Sequence, residues 1–315
     1  MQRRQFLGLA MGGAFAGILA RAVAATELKE IRIGYQKSGI FPAIKQRRTL
    51  EGVFNPLGID IKWAEFTFGP PLLEGIATGN LDYGYTGDAP PVFAQAAGAN
   101  LDYVAVLPRH ASEGIIVPEE SPIQTLADLK GKRIGFGKAS SAHTTTLAAL
   151  DKAGLAYTDI KPVYLPPADA ASAFARGAID AWTIWDPFLA IAQRGKVRTL
   201  AYAKDVHDPN NFLLANRNLV TQHPEIVNKF NDVFAQELQW ADTHRDELAE
   251  LIHEASGVDL ESMRVAMKRS AFTALPVSEE ITAKQQAVAD RFYKAGLLPK
   301  PIAVRDIVWK WTPGA

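Results

Sequence analysis

Apolar residues recur along this chain with two periods, and the places where the period changes mark its elements. Short runs rich in Ile, Val and aromatic residues predict strands over 31–35, 59–66, 83–86, 103–107, 114–117, 133–136, 162–164, 181–184 and 198–201. Between several of them, apolar residues at helical spacing predict helices over 71–78, 90–97, 141–153 and 168–176. Strand, helix, strand in succession implies an α/β fold of parallel sheets covered by helices. Beyond His223 the pattern turns mostly helical, with Ile226, Val227, Phe230, Val233, Phe234 and Leu238 on one face.

Two stretches about one hundred residues apart resemble each other: "ATGNLDYGYTGDAP" from Ala77 and "ARGAIDAWTIWDPF" from Ala175. Each has a small residue, Gly, two variable positions, Asp, and a strand ending in a polar turn, which suggests two lobes of one architecture. "VPEESPIQTLADLKGKRIG" reads as a crossing between lobes, because Pro118 and Pro122 sit in a polar, extended stretch. A return is expected at "NNFLLANRNLV". This assigns 25–116 and 210–315 to one lobe and 117–209 to the other. Two lobes joined by more than one crossing enclose a cleft, into which strand ends point.

The first residues belong to neither lobe. "MQRRQFLGLAMGGAFAGILARAVAAT" has a charged start, an apolar run from Phe6 to Ala20 and a small-residue site at Ala22-Val23-Ala24, so 1–24 reads as an export signal. Arg3-Arg4 before Gln5-Phe6-Leu7 suggests the twin-arginine type. That run carries Gly8, Gly12, Gly13 and Gly17, and is short for a membrane span of roughly 20 residues. The mature chain is therefore expected to be exported and soluble. It has no cysteine, hence no disulfide staple and no lipid-bearing cysteine. Loss of Arg3, Arg4 and Arg21 from a balance of 34 basic and 34 acidic residues leaves a net charge of −3. No basic stripe invites nucleic acid.

"GKASSAHTTTLAAL", from Gly137 to Leu150, concentrates hydroxyls at the start of a predicted helix. A phosphate loop fails, because Lys132 and Ala139 occupy positions that need Gly and Ser or Thr. Nucleophilic catalysis by Ser141 with His143 is disfavoured, since side chains two residues apart on a helix diverge by roughly 200°. The six histidines form no His-x-x-x-His pair, so neither a metal site nor a cofactor is expected. A helix cap explains one serine. The other, with the N–H groups of Ser141 and Ala142 and the helix dipole, makes an anion site.

"TGDAPPVF" adds a second helix start, in which Asp88 cannot cap Pro90 or Pro91 because neither has an N–H. Its carboxylate is expected to be free for another partner. Trp182, Trp185 and Phe188 cluster in "DAWTIWDPFLA". Strand alternation separates the two tryptophans, which allows one to be core, and Trp185 is expected to open on the cleft.

"IRIGYQK", "GNLDYGYTGDAPPVFAQAAGA", "GKASSAHTTTLAALDKAGL", "AIDAWTIWDPFLA" and "LPVSEEITAKQQAVADRFYKAGLLPKPI" resemble the aliphatic sulfonate-binding proteins of bacterial ABC importers. The resemblance spans nearly all of the mature chain. It implies a type II periplasmic-binding-protein fold that closes on a ligand without converting it, a soluble monomer, and an inner-membrane permease as partner. Carried over by motif, the ligand contacts are Gln36, Thr86, Gly87, Asp88, Ser140, Ser141, His143, Trp182, Trp185, Asp186 and Phe188. Taurine and nitrate binders share that fold, so the resemblance leaves the ligand open between alkanesulfonates and another small oxyanion. A sulfonate suits the residues, being a fully ionised monoanion that neutral N–H and hydroxyl donors can satisfy.

Overall fold

The computed structural model describes residues 28–108 and 111–314, so the export signal, residues 1–24, lies outside the described residues. Ten strands are found among them: β1 (Glu30–Tyr35), β2 (Asp60–Glu65), β3 (Tyr83–Gly87), β4 (Leu101–Pro108), β5 (Glu113–Pro118), β6 (Arg133–Phe136), β7 (Lys161–Tyr164), β8 (Ala181–Trp185), β9 (Val197–Tyr202) and β10 (Asn210–Asn216). They form two sheets, ordered β2-β1-β3-β10-β4 and β7-β6-β8-β5-β9. The helices are α1 (Phe41–Arg47), α2 (Thr49–Phe54), α3 (Gly69–Ala77), α4 (Ala89–Ala96), α5 (Ser141–Lys152), α6 (Pro167–Ala175), α7 (Phe188–Ala192), α8 (Arg217–Gln222), α9 (Pro224–Thr243), α10 (Arg245–Ser256), α11 (Leu260–Arg269) and α12 (Glu279–Lys294).

The sheets are mixed rather than wholly parallel. β1 runs parallel to β2 and β3, and β6 to β7 and β8, as strand–helix–strand units require. β10 is antiparallel to β3 and β4, and β5 to β8 and β9. The reason lies in the two crossings, β4 to β5 and β9 to β10. A chain arriving from the other lobe enters at the cleft and must run back along strands that end there. The register shows this: the end of β3 at Gly87 faces Asn211, and the end of β8 at Trp185 faces Glu113. The first crossing therefore precedes Glu113, ahead of the expected stretch from Val117, whose first residues belong to β5. β10, which carried no strand expectation, begins at Asn210.

The repeated stretches occupy equivalent places. Asp82 before β3 accepts from the backbone N–H and the guanidinium of Arg32 in β1. Asp180 before β8 does the same for Arg133 in β6. The shared aspartate thus ties each central strand pair together, with a 2.7 Å ion pair in both lobes.

Helices α9, α10 and α11 cover one face of the first sheet and α3, α4 and α12 the other. Val227, Phe230, Val233, Phe234 and Leu238 of the expected α9 stripe are buried, with Phe230 stacked on Tyr83 at 3.8 Å. No described helix is long and apolar enough to cross a membrane.

Candidate functional site in the cleft between the lobes

Both lobes line the cleft, whose empty volume, solvent mouth included, is about 970 Å³. Seven of the expected residues meet there: Gln36, Thr86 and Gly87 from the first lobe, and Ser140, Ser141, Trp185 and Asp186 from the second. Gln36 is held by donating its side-chain N–H to the Tyr85 carbonyl at 3.0 Å. Gly69, also in the wall, must be small: a Cβ there would meet the Pro90 ring at 2.7 Å.

The tip of α5 carries the clearest chemistry. Ser140 is the N-cap residue in extended conformation, yet its side chain makes no capping bond. Its hydroxyl donates instead to the Gly137 carbonyl at 2.7 Å, closing the preceding turn. The N–H groups of Ser141 and Ala142 have no partner among the described residues. A helix start with open N–H groups and the positive end of the dipole is an anion cradle. At α4, Pro90 and Pro91 remove two donors, and Asp88 makes no capping bond. No Lys or Arg is among the described lining residues, so the described part of the wall offers neutral donors.

Four expected contacts do not line the cleft. Asp88 is 1% exposed and is not free: its carboxylate accepts from the Thr144 hydroxyl of the opposite lobe at 2.8 Å and lies 3.9 Å from the His207 ring. His143 is wholly buried and points away from the cleft into an aromatic cluster. Burial and the charge of Lys138 lower its pKa to about 3, so the imidazole is neutral. Its Nδ1 accepts from the Ala139 N–H. Ser141 donates to Glu113 rather than to His143, so the nucleophile–base pair does not exist. Trp182 sits in the core of the second lobe with its ring beside Phe174, and Phe188 packs on the same core. Strand alternation accounts for the tryptophans, sending Trp182 inward and Trp185 outward.

Most of the wall comes from residues that no sequence motif marks. Tyr85, Ser112 and Asn211 line the cleft, with Tyr85 and Asn211 bonded through their side chains. Met263, Ala266 and Met267 of α11, followed by Ser270 and Phe272, form an apolar side. No sequence motif marks α11, and local spacing says nothing of which helix returns to the cleft. Glu113, fully buried, accepts from both Ser141 and Thr145. Across the mouth, Arg269 at the end of α11 stands 3.5 Å from Asp186, which also accepts from the Ala190 N–H. Arg194 of the second lobe similarly pairs with Asp259 at the start of α11, at 2.6 Å.

Two α/β lobes that enclose a cleft, with an open helix start in its wall, have the architecture of a solute-binding protein. The pattern of the NMT1/THI5-like family matches residues 51–248, and the chain belongs to that family. It is similar to the periplasmic aliphatic sulphonate binding protein SsuA from Escherichia coli, at 38% identity and TM-score 0.83 over 92% of this chain and 94% of that one. Similarity to the alkanesulfonate-binding protein SsuA from Xanthomonas axonopodis pv. citri, solved bound to MOPS, reaches 39% identity and TM-score 0.84 over 90% and 99%. The desulfurization enzyme DSZB shares the fold at 18% identity, with TM-score 0.61 over 90% and 97%.

Proposed function

We propose that the protein is the binding component of an ABC importer, capturing alkanesulfonates after export to the periplasm and delivering them to an inner-membrane permease. The observation that carries this reading is the open helix start at Ser141, which lines the same cleft as Trp185, Met263, Met267 and Phe272. A sulfonate places three acceptor oxygens on such donors and needs no proton acceptor in return. Its carbon tail then lies on the wall. The similarity to two sulfonate-binding proteins supports the same assignment.

Calorimetry of the mature protein with methane-, ethane-, butane- and hexanesulfonate, taurine, sulfate, phosphate and nitrate tests it. Binding of the alkanesulfonates in preference to the inorganic ions is expected. Taurine should bind more weakly than ethanesulfonate, because its ammonium would be desolvated on an apolar wall. Preference for nitrate or phosphate would overturn the assignment.

A further inference from the structure

His143 does not line the cleft, yet its environment is too specific for a filler of the core. The ring lies against Phe136 at 4.8 Å, Tyr157 at 5.5 Å and Tyr164 at 5.9 Å in its own lobe. Phe292 at 4.9 Å and Phe93 at 6.5 Å reach it from the other lobe. A phenylalanine would fill this space without a buried ring nitrogen. His143 keeps one, for its Nε2 has no partner among the described residues. Leaving a polar atom dry is unfavourable, so the other nitrogen must supply something that packing does not.

Nδ1 accepts from the backbone N–H of Ala139 at 3.3 Å. Ala139 is in the left-handed region, with φ of 58°. An alanine resists that conformation, because its Cβ approaches the following carbonyl. Ala139 sits in the turn from Gly137 to Ser140 that delivers the chain to α5, and Ser140 closes this turn from its other side. We infer that His143 is a positioning residue: by accepting the Ala139 N–H it holds the turn that aims the Ser141 and Ala142 N–H groups at a bound sulfonate. This rests on the sulfonate-binding reading for its ligand, but not for the turn itself. The neutral ring with its proton on Nε2 is the form that can accept, and the charged or titratable groups facing it are Lys138, Tyr157 and Tyr164.

The experiment uses His143→Phe, which keeps the ring packing and removes the acceptor, and His143→Gln, whose amide oxygen can take the same N–H. Wild-type calorimetry comes first; no sulfonate binding there sinks the functional reading alone. With binding established, His143→Phe should weaken methanesulfonate and hexanesulfonate by the same factor, about tenfold, the worth of roughly one hydrogen bond. His143→Gln should retain most of the affinity. Adding Ala139→Gly to His143→Phe should restore binding, because glycine adopts this conformation unaided. Amide hydrogen exchange of Ala139 in the ligand-free protein reads the turn directly, and should accelerate in His143→Phe but not in His143→Gln. Wild-type affinity in His143→Phe, loss that Ala139→Gly does not restore, or unchanged Ala139 exchange would each overturn the inference. Should His143→Phe fail to fold, the comparison of His143→Gln with wild type decides: accelerated Ala139 exchange there counts against the inference, and unchanged exchange with retained affinity supports it.

Discussion

The Ser141 hydroxyl, at the tip of α5, donates its hydrogen to the buried carboxylate of Glu113 at 2.5 Å. Its donor is therefore committed within the protein, and what the tip offers an anion is chiefly backbone N–H. Glu113 starts β5 at the cleft end of the second sheet, directly below the helix start. This bond fixes the tip to the sheet.

Ser141→Ala should consequently act on stability as much as on binding. Removal of one donor from a wholly buried carboxylate costs about 1–3 kcal/mol. Urea denaturation of the ligand-free variant is expected to show that loss, while sulfonate affinity falls by a smaller factor. A large loss of affinity at unchanged stability would return the hydroxyl to the role of a direct ligand.

Trp185 should govern the tail. A preformed apolar wall contributes about 0.8 kcal/mol per buried methylene, so wild-type affinity is expected to rise along a homologous series until the cleft is filled. Trp185→Ala should flatten the slope and leave methanesulfonate nearly unchanged. Equal losses for short and long chains would mean that the ring shapes the cleft or its closure.

Arg269 and Asp186 stand 3.5 Å apart across the mouth, with the aspartate side chain only 5% exposed. The arginine offsets a carboxylate that an incoming anion would otherwise meet. Arg269→Gln should weaken every sulfonate by about tenfold, or roughly 1.4 kcal/mol, and Asp186→Asn in the same chain should recover much of it. Additive effects in this double-mutant cycle would exclude the coupling.

The His143 pKa, lowered to about 3 by burial and by Lys138, makes stability depend on pH in one direction. The unfolded chain, with an ordinary value near about 6.5, takes up the proton first. The contribution is complete above that pH and is lost as pH falls toward about 3, by at most about 1.4 kcal/mol per pH unit. Denaturation midpoints of wild type and His143→Gln at several pH values should diverge in this window. Parallel profiles would show that the histidine is not buried neutral.

Export is testable apart from binding. "RRQFL" in a weakly apolar leader leads us to expect that Arg3→Lys with Arg4→Lys retains precursor in the cytoplasm. Unchanged processing would assign the leader to the general secretory route.

Local pattern alone carried the α/β class, the repeat of two lobes and the open start of α5, because strand period, turn residues and helix starts depend on neighbours a few positions apart. Of the expected residues that line the cleft, the family resemblance supplied Gln36, while local pattern marked the Thr86-Gly87 and Trp185-Asp186 turns at strand ends and Ser140-Ser141 at a helix start. What faced outward from each tip was beyond its reach. Asp88 looked unsatisfied because its helix offers no N–H, and only the packing of one lobe against the other supplies Thr144. His143 looked like a cleft donor next to Ser141, but one hundred degrees per residue carries its ring into an interlobe aromatic cluster. Asn211 reaches the cleft, and Glu113 the tip of α5, because crossing strands enter antiparallel, and α11 brings Met263 and Met267 from far along the chain. These contacts join residues from 28 to 149 positions apart, and are decided by how the two lobes and the C-terminal helices pack.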